Sequence, residues 1–272
     1  MSFKNRTIFI TGASRGIGKA IALKLAAAGA NIVIASKSTE ENPKLGGTIY
    51  STASEVEAVG GKALPIQVDI RFEEQVQAAV QKAVEVFGGI DIVINNASAI
   101  QLTNTLQTEM KRFDLMHDIN VRGTFLVTKH CIPYLKKGTN AHILTLSPPL
   151  NLDLKWLSPH VAYTMSKYNM SMMAMAWSAE LKPFNVASNA LWPRTTIDTA
   201  AVRNLLGGEV LAKMSRKPEI LADAAFFILW KTSLQYSGNT FIDEEVLAKE
   251  GITDLDQYAV VQGAKLYPDL FI

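Results

Sequence analysis

Eight residues, TGASRGIG (Thr11–Gly18), stand between a short apolar run and an Ala/Leu-rich stretch. They leave few folds open. The run before them, RTIFI, has the composition of a buried strand. The stretch after them, GKAIALKLAAAG, reads as a helix stopped by Gly29. Gly12, Gly16 and Gly18 let the backbone turn tightly and approach a pyrophosphate. The helix N-terminus behind them offers free N–H groups and a partial positive charge. A glycine motif alone says little. With a strand before it and a helix after it, it marks a dinucleotide-binding turn.

The rest of the chain alternates in the same way. ANIVIAS, KALPIQVDI, IDIVINNA, HILTL, ASNALWP and GNTFID read as six further strands. Helical patterns fall between them at about Thr48 to Val59, across FEEQVQAAVQKAVEVFGG, from about Glu109 to Lys136, and from about Ala162 to Leu181. Strands separated by helices imply right-handed crossovers and a parallel sheet covered on both faces. The expected fold is α/β: a single doubly wound Rossmann domain over residues 1–272, with a seven-stranded parallel sheet and helices on both faces. No internal repeat or interdomain linker interrupts it.

With 272 residues, 48% of them hydrophobic, the chain has enough material for one sizeable core. A net charge of +2, with acids and bases interspersed, gives no basic stripe for nucleic acid. The apolar runs fall short of the ~20 residues a membrane span needs. The opening MSFKNRTIFITG lacks a signal-peptide shape, and PDLFI matches no lipidation or address signal. Cys131 is the sole cysteine, so no internal disulfide forms, and a cytoplasmic location is expected. Cys131 is read as a buried apolar residue on a helix. The four histidines show no metal-ligand spacing, and no metal site is expected.

The end of the second strand bears on which dinucleotide binds. An acidic residue there would accept hydrogen bonds from a ribose 2′-hydroxyl. This chain has Ser36 followed by Lys37, and Arg15 lies in the glycine turn. A neutral residue flanked by two cations suits a 2′-phosphate, which favours NADP(H) and makes NAD(H) the second choice. Asp69, at the end of the third strand, is a candidate acceptor for the adenine amino group.

AYTMSKYNM places Tyr163 and Lys167 four residues apart, on one face of a helix. A free tyrosine, with a pKa of about 10, is a poor acid–base catalyst at neutral pH. A nearby ammonium favours phenolate. A tyrosine so tuned can give a proton to a carbonyl oxygen or take one from an alcohol.

Taken together, TGASRGIG, NNAS (Asn95 to Ser98), INVRG (Ile119 to Gly123) and YTMSK (Tyr163 to Lys167) resemble the short-chain dehydrogenase/reductase superfamily in order and spacing. The resemblance covers nearly the whole chain. It implies that Tyr163 is the general acid/base and that Lys167 also grips the nicotinamide ribose. Asn120 would hold a water in a proton relay. Asn96, Ala97 and Ser98 would lie beside the adenine ribose. Ser14, Ile17 and Ile70 would join Gly12, Arg15, Gly16, Gly18, Ser36, Lys37 and Asp69 around the cofactor. Pro193 would open the segment covering the nicotinamide, followed by a carboxamide-binding threonine. Thr195 is a candidate for that role, with Thr196 and Thr199 as alternatives. A homodimer or homotetramer built through the tyrosine helix is also implied.

One stretch departs from the pattern. In HILTLSPPLN (His142 to Asn151) the family's catalytic serine position holds Pro148, and Ser147 stands one residue early. A one-residue offset reverses side-chain direction if the strand stays regular. Either Ser147 reaches the Tyr163 hydroxyl, or the site is a triad of Asn120, Tyr163 and Lys167. The methionines after the tyrosine (Met170, Met172, Met173 and Met175), with Trp177, are read as core and subunit packing. Ala200 to Lys217 is expected to be a lid over the substrate. Arg194 and Arg203 are candidate partners for an acidic substrate group.

The expected activity is NADP(H)-dependent hydride transfer to or from a carbonyl or secondary alcohol. The substrate is a small molecule, with lipids and acyl-CoA among the candidates. Two alternatives stand beside it: an enoyl-CoA-type double-bond reductase, and a non-catalytic NADPH- or lipid-binding protein.

Overall fold

In the computed structural model, described for residues 1–233 and 235–272, seven parallel strands form one sheet in the order β3-β2-β1-β4-β5-β6-β7. They are β1 Thr7–Thr11, β2 Asn31–Ser36, β3 Lys62–Gln67, β4 Ile92–Asn95, β5 Ala141–Leu146, β6 Val186–Trp192 and β7 Thr240–Ile242. β1, β4, β5 and β6 are buried along their whole length, as a parallel sheet covered on both faces requires. The chain runs outward from β1 to β3, then returns to place β4 on the other side of β1. That reversal opens a crevice at the carboxyl ends of β1 and β4, where doubly wound sheets bind ligands.

The helices are α1 Gly16–Ala27, α2 Ile49–Ala58, α3 Glu73–Phe87, α4 Met110–Met116, α5 Thr124–Leu135, α6 Leu154–Leu157, α7 Val161–Glu180, α8 Gly208–Lys213, α9 Glu219–Trp230 and α10 Asp243–Lys249. Alternate side chains of the strands enter two cores. Ile8, Ile10, Ile32 and Ile34 meet α1, α2 and α9 on one face. Phe9, Val33 and Val93 meet α3, α5 and α7 on the other.

The differences from the sequence reading have local causes. The third strand stops at Gln67, which pairs with Ser36 at the end of β2; past it a single bond remains, from Val68 N to Ser36 O at 3.1 Å. The helical region from 110 to 135 is interrupted by a π-helical segment, His117–Gly123, whose wider turn carries Asn120. Helix α9 has no counterpart in the sequence reading. EILADAAFFILW is apolar round most of its circumference, so the period of an amphipathic helix is faint in it.

Candidate functional site

The glycine turn is built against the end of β4. Asn96 Nδ2 donates to the carbonyls of Thr11 (2.9 Å) and Gly12 (3.0 Å). The Thr11 hydroxyl accepts from the backbone N–H groups of Asn96 and Ala97, both at 3.0 Å. Gly12 has φ +66°, and a Cβ there would lie 2.9 Å from Ala97 Cα. Helix α1 starts at Gly16 with no side chain capping its first turn. Its leading N–H groups, with those of Ile17 and Gly18, therefore face the crevice unclaimed, as a pyrophosphate site requires. A nicotinamide dinucleotide fits this cradle.

At the end of β2, Ser36 Oγ lies 3.2 Å from buried Ser14 Oγ. The Arg15 guanidinium is fixed by Gly46 O (2.7 Å), Gly47 O (3.1 Å) and Ser38 Oγ (2.8 Å). Lys37 is exposed. Asp69 is held in a two-pronged pair with Arg71, which lowers its pKa. Its carboxylate, the candidate acceptor for the adenine amino group, is thus already engaged by Arg71. Ile70 is buried against Gly123, and Ser98 is exposed beside half-buried Ala97.

Tyr163 and Lys167 lie on α7, both buried. Lys167 Nζ donates to Leu146 O at 2.6 Å and sits 5.0 Å from the centre of the Trp192 ring. Asn120 is fully buried, and its amide is spent on structure. Oδ1 accepts from Ala99 N (2.8 Å), while Nδ2 donates to Ala99 O (2.9 Å) and Ser166 Oγ (2.9 Å). Ser147 does not join this cluster. Its Oγ is buried and has no hydrogen-bond partner among the described residues, so the direct bond to Tyr163 that a serine relay would use is missing.

The Tyr163 ring opens on a cavity of about 730 Å³. Its walls are largely apolar, including Ile100, Leu102, Leu146, Trp192 and, from the lid, Leu205 and Leu211. Ile17 and Thr199 connect it to the glycine turn, and Pro193 lines it. Of the three candidate threonines, Thr199 packs closest to the turn, above Gly16. Thr196 lines the cavity but its hydroxyl bonds Ser215 at 2.7 Å. The Thr195 hydroxyl is buried without a partner and does not line the cavity. None of the four methionines lines it either. Met170 and Trp177 are buried in the protein, and Met172 and Met175 are exposed.

The charges differ from the expectation. Burial pushes the Tyr163 hydroxyl well above the ordinary tyrosine range, with Asp269 adding to the rise. Burial also brings Lys167 down to about 7, opposed in part by Asp269. Before any cofactor enters, the pair is therefore a protonated phenol beside a weakened ammonium. Arg203 is paired with Asp198 and Glu209, and Arg194 with Glu245, so neither guanidinium is free for a substrate. Cys131 is fully buried and its thiol is pushed up by burial.

Asp269 escapes a sequence reading. The motifs lie upstream, and only the folding back of the YPDLFI segment puts it on the wall of the cavity that Tyr163 lines. The same is true of His160, which precedes α7 and lines the cavity.

A family model described as short chain dehydrogenase matches residues 6–208. Hydroxysteroid dehydrogenase-like protein 2 of Xenopus laevis is 62% identical over 266 residues, covering 98% of this chain and 63% of that protein. The Homo sapiens protein of the same name is 57% identical over 266 residues, with 98% and 63% covered. The chain thus spans less than two thirds of the length of those relatives. A crystal structure of a short chain dehydrogenase from Mycobacterium thermoresistibile superposes with a TM-score of 0.94 at 54% identity, covering 100% of this chain and 96% of that one. Among the described residues, no helix is long and apolar enough to cross a membrane.

Proposed function

The chain belongs to the short chain dehydrogenase family, and from that premise we propose that it is an NADP(H)-dependent oxidoreductase acting on the carbonyl or secondary alcohol of an apolar substrate. The observation that carries this is the Tyr163 ring on the wall of an apolar cavity of about 730 Å³ that runs to the glycine turn. The bound nicotinamide would supply or accept the hydride. Tyr163, kept protonated by burial, gives its proton to the substrate oxygen. As negative charge grows on the phenol, the charged form of Lys167 becomes more favourable and stabilises it. Asn120 holds the Ala99 backbone against α7, fixing the cavity wall.

The preference for NADP(H) rests on Arg15, fixed by two carbonyls and a hydroxyl beside neutral Ser36. A guanidinium held in advance loses little freedom on meeting a 2′-phosphate. The exposed methionines of α7, Met165, Met172 and Met175, are where two copies would pack, which sedimentation would measure.

The test is turnover across a panel of apolar ketones and alcohols with NADPH and NADH, for wild type and Tyr163→Phe. A loss of about 10²-fold or more in the variant, with NADPH binding retained, is expected. Full turnover by the variant would remove Tyr163 from its role.

A second reading has one observation in its favour: the partnerless Ser147 hydroxyl. It makes the chain an NADPH- or lipid-binding protein with little chemistry. NADPH binding with no oxidation on any member of the panel would select it. The enoyl-CoA alternative finds less support, since Arg194 and Arg203 are already ion-paired.

A further inference from the structure

Residues 267–272 return to the cavity and are fixed there by contacts spread along them. Thr196 N donates to Tyr267 O at 3.0 Å, Asp269 N to Arg194 O at 3.1 Å and Trp192 Nε1 to Leu270 O at 2.9 Å. Phe271 is buried among Trp156, Tyr163, Tyr168 and Trp192, with ring centres 5.3–6.3 Å away. Its backbone has φ 73°, an unfavourable state for a bulky residue. The aromatic contacts hold it there. Asp269 is therefore placed, not merely nearby, and it lines the same cavity as Tyr163.

The charged and titratable groups around Asp269 come from three elements. Tyr163 on α7 and His160 just before that helix line the same cavity as Asp269, and the Lys167 charge on α7 acts on its carboxyl. Asp243 faces it from the start of α10. Arg194 and Arg216 stand beside Asp243, and each is ion-paired with a glutamate, Glu245 and Glu244 respectively. Asp243 Oδ1 accepts from the N–H groups of Arg194 and Glu244, both at 2.8 Å, while Oδ2 is buried without a partner. Lys167 is the cation that acts on Asp269, while Arg216 acts on Asp243. Burial raises Asp269 up to about 7, with Asp243 adding repulsion and Lys167 opposing. Such a group is protonated in part at neutral pH and can both give and take a proton.

We propose that Asp269 is a positioning residue for the Tyr163–Lys167 pair, supplying the proton that restores the Tyr163 hydroxyl after each transfer to substrate. The proposal rests on the reading of Tyr163 as the proton donor. As the substrate carbonyl is reduced, the Tyr163 O–H bond breaks and the proton bonds to the substrate oxygen. The phenolate then takes the proton of the Asp269 carboxyl through water in the cavity both groups line, and the Asp269 carboxylate takes another from solvent.

The first test needs no substrate. Carboxyl-carbon and tyrosine ring-carbon NMR titrations are recorded on the cofactor-free protein, with Tyr163→Phe to assign the ring signal. Asp269 is expected to titrate near neutral pH in the wild type. In Asp269→Asn the Tyr163 signal is expected to titrate at lower pH, because the opposing carboxylate is gone. An Asp269 titration in the ordinary carboxylate range, or a Tyr163 titration unmoved by the substitution, overturns the proposal. The wild-type titration decides even if the variant fails to fold.

The second test uses NADPH and a ketone from the panel. In Asp269→Asn, kcat at neutral pH is expected to fall about tenfold with KM little changed. The decline of kcat as pH rises through the Asp269 titration should vanish, and Asp269→Glu should restore part of it. A wild-type pH profile in Asp269→Asn, with Tyr163→Phe inactive, sinks the Asp269 role alone. Full turnover by Tyr163→Phe sinks the underlying reading instead.

Discussion

Gly18 and Asn96 compete for one space: a Cβ on Gly18 would lie 2.4 Å from Asn96 Nδ2, which is bonded to the Thr11 and Gly12 carbonyls. The amide fastens the glycine turn to β4, and it fits only because residue 18 has no side chain. Gly18→Ala must displace the amide or the turn. The expected result is a loss of about 1–3 kcal/mol of stability, typical of overpacking, together with weakened NADPH binding. Denaturant unfolding and cofactor fluorescence check this; wild-type values in both would show that the turn yields freely.

Ser147→Ala removes a buried hydroxyl that bonds nothing. Turnover is expected to stay within about twofold of wild type, below what a general acid or base contributes. Stability should be unchanged or slightly higher, since an unpaired buried polar group costs about 1–3 kcal/mol. A drop in kcat of about 10²-fold would restore the serine to the relay.

Ser36→Asp puts a carboxylate beside the Arg15 guanidinium, where a 2′-phosphate would otherwise lie. The expected outcome is a shift of at least about tenfold in the NADPH/NADH affinity ratio toward NADH, the size of a charge-assisted hydrogen bond lost or gained. Titration with both cofactors measures it. An unchanged ratio would place the 2′-position elsewhere.

His142 sits in β5, fully buried, and burial brings its pKa down to about 3, with Arg6 adding to the fall. In the unfolded chain it takes a proton near its ordinary value of 6.5. Between those values the unfolded state binds more protons, so stability falls as pH falls through that window. The loss is on the order of a few kcal/mol. His142→Gln is expected to show a shallower fall in unfolding free energy from neutral to mildly acidic pH. A slope equal to wild type would mean that His142 is protonated in the fold.

Much of the fold is legible in the sequence because its signals are local. The period of α3 and the caps of α2 need only neighbours a few residues away. Thr48 and Ser51 cap each other's backbone at the start of α2, close to where the spacing puts that helix. The signal fails where burial is complete, as in α9, or where a strand's end depends on its partner, as at Gln67. Within the site, the glycine turn and the Tyr163–Lys167 pair are legible for the same reason: each is a short motif on one element. The charge state of that pair is not.

By itself the sequence determined the doubly wound class, the tight glycine turn after β1 and the helix that carries Tyr163 and Lys167. These follow from hydrophobic period, glycine placement and four-residue helical spacing. Tertiary structure alone decided which groups share the cavity with Tyr163, and left the Ser147 hydroxyl buried without a partner among the described residues. The direction of Ser147 depends on how β5 ends under two prolines. The phenol's proton affinity depends on burial and on Asp269, a residue 106 positions away in the sequence. Desolvation and Coulomb interactions act through space, so they exist only once the 267–272 segment has folded back over the sheet.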